Sequence, residues 1–170
     1  MAADLTAELE QLHTAAFGWA LSCCGWDRSA AEDVLQATYL KLLDGRARFD
    51  GRSTFRTFVF GVIARTAREA RRRAALRRWL PLAALLLGPE AVDGGPDPAA
   101  ARVRADETAR LVRALGRLSE RQRQVLHLVF YEDLTIAEAA AVAGVSVGTA
   151  RTHYERGKAA LRTLLGEERE

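Results

Sequence analysis

Apolar side chains return at three- and four-residue intervals along most of the chain, the spacing that lines one face of an α-helix. Leu5, Leu9, Leu12, Ala16, Trp19 and Cys23 form the first such stripe, and Gly25 is a natural stop. A second helix is predicted from Ser29, where SAAE at 29–32 has capping-box spacing, to about Leu43, just before Asp44 and Gly45. On it Val34, Leu35, Thr38 and Leu42 can face a core while Asp33, Gln36 and Lys41 project elsewhere. Residues 46–52 read as a loop containing Phe49, Asp50 and Gly51. A long helix then starts at Ser53 or Thr54, burying Phe55, Phe58, Val59, Val62 and Ile63 first and ending in a cluster of arginines.

The pattern breaks over residues 80–101, where all 4 prolines lie together with Gly88, Gly94 and Gly95, so this stretch reads as a linker. Its apolar start, 79–87, should pack on something. Helical spacing resumes over 102–115, and Ser119 with Gln122 opens the next helix, whose apolar face is Val125, Leu126, Val129 and Phe130. Thr135 and Glu138 cap a short helix ending near Ala143, Gly144 turns the chain, and Ser146 caps a longer helix through Leu165. Short helix, glycine turn, longer helix is a helix-turn-helix, whose second helix enters a DNA major groove. Ala139, Ala140 and Ala143 are small where the helices cross, Gly144 tolerates the positive φ of the turn, and Val145, Ala150, Tyr154 and Leu161 anchor the second helix. Arg151, Thr152, His153, Glu155, Arg156 and Lys158 remain on its outer faces. The expected fold class is all-α: two small helical domains, 1–79 and 102–170, joined by the Pro/Gly-containing linker 80–101.

Composition fits this picture, since 49% hydrophobic content supports a core and the longest strictly apolar run, 82–87, is far too short to span a bilayer. Asp4, Glu8 and Glu10 stand where a secretory signal carries positive charge, so a cytoplasmic protein without membrane insertion is expected. The formal net charge of +3 conceals a segregation. Residues 1–44 carry seven acids against two basic side chains, a net −5, whereas 45–78 carry eleven arginines against two acids, a net +9. Such a basic stripe is the electrostatic footprint of a polyanion's partner, most often a nucleic acid's; the bland reading is a solvated, arginine-rich helix face. Cys23 and Cys24 are adjacent, so a mutual disulfide is strained, and they read as small buried hydrophobes, with a redox switch as the alternative. No glycine-rich phosphate loop, HExxH, GxSxG or CxxC is present and the three histidines are scattered, so no catalytic residue, metal or cofactor is expected and the chain does not read as an enzyme.

Four segments taken in order, AEDVLQATYLKLL (31–43), FDGRSTFRTF (49–58), LSERQRQVL (118–126) and VSVGTAR (145–151), resemble the bacterial sigma-70 family. The resemblance is strongest to its small extracytoplasmic-function members, which keep only the domains called sigma two and sigma four. It implies a sigma factor that binds core RNA polymerase and directs promoter recognition, DNA melting and transcription initiation. Asp33, Gln36, Thr38, Tyr39 and Leu40 match the surface that docks on the clamp helices of the beta-prime subunit. Phe49, Arg52, Ser53, Arg56, Arg65, Thr66 and Arg68 match the part that opens the minus-10 element and holds a flipped base. Phe58 stands where the family frequently has Trp and Thr66 where it commonly has Asn; Phe55 and Phe58, three apart on an amphipathic helix, also read as core. Arg151, Thr152, His153, Glu155, Arg156 and Lys158 match the positions that read the minus-35 element, with the beta flap as a second polymerase contact. The family implies an anti-sigma partner and a monomer when free. Two rivals stand beside this reading. One is a stand-alone helix-turn-helix regulator, which leaves 1–79 unassigned. The other is a sigma mimic that sequesters an anti-sigma factor, which has no need of DNA-facing cations.

Overall fold

The helices begin where short polar side chains can take up orphan backbone N–H groups. A computed structural model describes residues 2–78 and 100–167, with side chains at 5–76 and 109–166. In order, the elements are α1 (Ala2–Cys23), α2 (Arg28–Leu43), α3 (Phe55–Arg78), α4 (Ala100–Arg117), α5 (Glu120–Leu126), a π-helical turn (His127–Tyr131), α6 (Ile136–Ala143) and α7 (Val147–Glu167). No strand occurs among the described residues, so the fold is all-α. Most of the expected linker, including its apolar start, lies outside the described residues; its last two positions already belong to α4.

Four starts are capped by side chains. Asp27, not Ser29, caps α2, its Oδ1 accepting from Ala30 N at 3.0 Å, which moves the start slightly earlier than the SAAE spacing predicts. Both capping boxes of the C-terminal half are formed, Ser119 with Gln122 and Thr135 with Glu138. Ser146 Oγ accepts from Thr149 N at 3.1 Å at the head of α7. Gly144 closes α6 at φ +68°, the left-handed conformation that the turn requires.

α1, α2 and α3 pack around Trp19, Phe60, Ile63, Val59 and Leu35. The indole Nε1 of Trp19 donates to the Phe60 carbonyl at 3.0 Å, so the largest core side chain is also satisfied as a donor. Leu128, Leu134, Ala139 and Val142 belong to this same core, which makes α6 a fourth helix laid on α3. A second, smaller cluster of Val125, Ala140 and Ala150, with Val145, Ile136 and Tyr154 against it, joins α5, α6 and α7. There Gly157 lets α7 cross α5 closely: a Cβ at this position would lie 2.8 Å from Leu126 Cδ1.

One predicted face is wrong. Phe130, expected in the core with Val125 and Leu126, is 61% exposed. The π-helical turn is the reason: bonding from i to i+5 widens the turn and rotates the next residues, so Leu128 is buried and Phe130 swings out to stack on Tyr154.

Candidate nucleic-acid interface

On α2, Asp33 and Gln36 lie off the buried stripe and Leu40 is 50% exposed, as a docking surface requires. Thr38 is not part of it. Its side chain is fully buried and its hydroxyl donates to the Val34 carbonyl at 2.8 Å, because Thr38 lies on the same stripe as Val34 and Leu42. Tyr39 is half-buried, its hydroxyl 3.2 Å from His13 Nδ1 on α1. Between the two helices runs an open groove of about 570 Å³, to which α1 contributes His13 and Phe17, and α2 contributes Arg28, Glu32 and Leu43 besides the expected residues. Sequence reasoning missed those five. The signal available was Leu43, an apolar residue off the buried stripe.

The loop between α2 and α3 turns at Gly51, φ +74°, where Asp50 Oδ1 accepts from Arg52 N at 3.2 Å. This presents Phe49, 43% exposed, with its ring 5.6 Å from that of Phe55 and 5.4 Å from that of Phe58. Phe55 and Phe58 are half-buried, so the core reading and the stacking reading meet in one three-ring patch open on the Phe49 side. Arg52 and Ser53 flank it in solvent. Thr66 does not. It is buried on α3 and accepts from Lys41 Nζ at 3.1 Å, the same ammonium that meets Glu69 at 2.7 Å, so its expected place at a DNA surface is corrected to a tie between α2 and α3.

The arginines of α3 divide into two rows. Arg65, Arg72 and Arg73 are exposed, on the side that continues from Phe58. Arg56, Arg68 and Arg71 turn instead to the C-terminal helices. Arg56 is ion-paired with Glu132 and lies over the Phe60 ring, Arg71 pairs with Glu120 and donates to the Cys23 carbonyl, and Arg68 lies against Gly144. Arg56 and Arg68, expected at the minus-10 element, are therefore engaged within the protein here.

On α7, Arg151, Thr152, Glu155 and Arg156 are exposed along the first half of the helix. Arg151 and Glu155 share one side, Thr152 and Arg156 the next. Thr152 Oγ1 donates to the Gly148 carbonyl at 3.0 Å and keeps its lone pairs outward. His153 is half-buried, and Lys158 is held back, its Nζ 4.6 Å from the Tyr154 ring and 3.3 Å from Glu155. Arginine on such a helix is suited to guanine O6 and N7, and Glu155 to a cytosine amine.

The cysteines sit under α3 and do no chemistry of their own. Burial pushes the Cys23 thiol far above its ordinary value and the Cys24 thiol up to about 11, so neither is a thiolate at neutral pH.

This arrangement matches known proteins over both halves of the chain. The family model for sigma-70 region 2 matches residues 9–77, and that for sigma-70, region 4 matches 108–161. The chain belongs to the sigma-70 family of RNA polymerase sigma factors. Within it, the relatives place the chain in the extracytoplasmic-function branch. It is 32% identical over 130 residues to the ECF RNA polymerase sigma factor SigF of Caulobacter vibrioides, covering 76% of this chain and 68% of the relative. It is 30% identical over 138 residues to the RNA polymerase sigma factor CarQ of Myxococcus xanthus, covering 81% and 75%. The fold is similar to that of the sigma factor RpoE from Bartonella quintana, solved with the anti-sigma factor NepR, at a TM-score of 0.74, 22% identity and coverage of 96% and 97%. As a member of this family the protein is a transcription initiation factor that acts by binding core polymerase and promoter DNA, not by catalysis.

Proposed function

We propose a division of labour among three surfaces. The groove between α1 and α2, with Asp33, Gln36, Tyr39 and Leu40, docks on the beta-prime clamp helices. The Phe49 loop, with Arg52, Ser53 and the open row beginning at Arg65, melts the minus-10 element: the aromatic patch stacks an unpaired base and the cations follow the backbone. The outer face of α7, from Arg151 to Lys158, reads the minus-35 element. The unit boundaries are 1–79, 80–101 and 102–170. The chain works in the cytoplasm, is a monomer when free, meets the beta flap through its C-terminal unit, and is held in check by an anti-sigma factor. Two sigma factors of similar fold, RpoE of Bartonella quintana and CnrH, were solved with such partners, NepR and CnrY.

The observation that carries this reading is the pairing, on one chain, of an exposed polar recognition helix with an aromatic patch flanked by free arginines. Unstacking DNA costs a few kcal/mol per step, which contacts of these two kinds can offset. The test is run-off transcription from the protein's own upstream region with purified core polymerase, with and without the chain. Core-dependent transcripts are expected. Specific DNA binding without core would instead favour a stand-alone regulator, and neither activity would favour a sigma mimic.

A further inference from the structure

Glu132 is the one acidic side chain among the described residues that is buried, its side chain 1% exposed, and it lies at the end of the π-helical turn where the C-terminal helices meet α3. A buried carboxylate is tolerated only with close partners. Glu132 has two, Arg56 from α3 and His127, whose Nε2 is 3.2 Å from Glu132 Oε1. The backbone that aims it inward is irregular on both sides: the π-helical turn precedes it, and Asp133 follows at φ +52°. Irregular backbone retained at one place points to a role beyond packing. Nor is the pair fully satisfied, since Arg56 Nε is buried without a hydrogen-bond partner. Burying two charges that water would solvate gains little net stability, so such a contact can open without great loss.

The closed form does not fit a promoter. α6 packs on α3 and α7 packs on α6, so at about 8–10 Å per helix–helix contact the recognition helix stands on the order of 20 Å from α3. Elements centred ten and thirty-five base pairs upstream are about 25 pairs apart, on the order of 85 Å at ~3.4 Å per pair.

We propose that Glu132 is a latch that holds the free chain shut: by engaging Arg56 it docks the C-terminal helices on α3, and it must let go before α3 and α7 reach their two promoter elements together. The latch rests on the roles given to α3 and α7 above. Glu120, through Arg71, is a second and more exposed contact of the same kind. Both acids stand against guanidinium groups of the helix richest in positive charge, where DNA phosphates would otherwise be drawn.

The test is Glu132→Gln in the full chain, read in two ways. By small-angle scattering the free wild type should have a radius of gyration of about 16 Å, as for a compact body of 170 residues. The variant should exceed it by roughly 3 Å or more, because an uncompensated buried Arg56 disfavours the closed form. In run-off transcription the variant should reach half-maximal output at a roughly threefold or more lower concentration, since removing a closed population raises apparent affinity. An unchanged radius and an unchanged midpoint would overturn the latch. Arg56→Glu combined with Glu132→Arg, read by scattering alone, should return the radius to the wild-type value; if it stays expanded, Glu132 acts through folding and the latch is wrong. If Glu132→Gln loses helix content by circular dichroism, this double variant carries the test. Failure of the wild type to start transcripts would remove the promoter roles, while the scattering result would still decide whether Glu132 closes the chain.

Discussion

α3 and α7 both present basic residues, yet they do so in opposite ways. α3 is a core helix: Val59, Phe60, Ile63 and Ala67 are buried, so its arginines fill whatever sides remain, and one of these faces the C-terminal helices. α7 is attached through Ala150, Tyr154 and Gly157, and the first half of its polar surface is free. Charge density is higher on α3, but availability is higher on α7. A basic stripe therefore marks a nucleic-acid surface only on the side that the fold leaves open.

The strongest way to break this contrast is to remove the packing that makes α3 a core helix. Trp19→Ala should cost about 3–5 kcal/mol of stability, adding a cavity to an unpaired Phe60 carbonyl, and thermal melting will show it. A smaller loss would mean that the α3 rows are not held by this core. Arg151→Ala should next cost about 1–3 kcal/mol of discrimination at the minus-35 element with core affinity unchanged, measured by binding to cognate and mutated promoters. Equal loss of core affinity would show that α7 is not a dedicated reading surface.

The two rows of α3 can be compared directly. Arg65→Ala should lower the dependence of log affinity for single-stranded minus-10 DNA on log salt by about 0.7, one phosphate contact, whereas Arg71→Ala should leave that slope alone. If both change it alike, the division into rows fails. Acid gives the smallest and broadest effect. Hydrogen bonds from Lys41 hold Glu69 below its ordinary value of 4.5, and those from Thr135 do the same for Glu138. Burial pushes the Glu132 carboxyl up, but His127 and Arg56 more than offset it and leave it low as well. Carboxylates depressed in the folded state stabilise it above the ordinary value, and that contribution is lost as pH falls through their lowered values. Stability should therefore be flat near neutrality and decline below about pH 4.5, followed by circular dichroism.

Much of this was legible beforehand. The capping boxes at Ser119 and Thr135 formed as spaced, and Gly144 took the left-handed turn, because these bonds close within a few residues. Asp33, Gln36 and Leu40 lie off the core for the reason the stripe implied: Val34, Leu35 and Leu42 take the other side. Thr38 and Thr66 were misplaced because a threonine satisfies its hydroxyl inside a fold, through Val34 and Lys41, and so reads as polar while packing as core. Gly157, a glycine inside a strong helical pattern, did carry a signal of close approach. Phe130 carried none, since nothing local announces a π-helical turn.

Periodicity, caps and turn residues are local, and by themselves they determine an all-helical chain, the helix-turn-helix and the outward set on α7. The residues that pair Arg56 with Glu132 lie 76 positions apart, and those that pair Arg71 with Glu120 lie 49 apart. Only the docking of α6 on α3 brings them together. That docking decides which arginines of the basic block are free, because a guanidinium has a use on any face and its own sequence neighbours do not say which face another helix will cover.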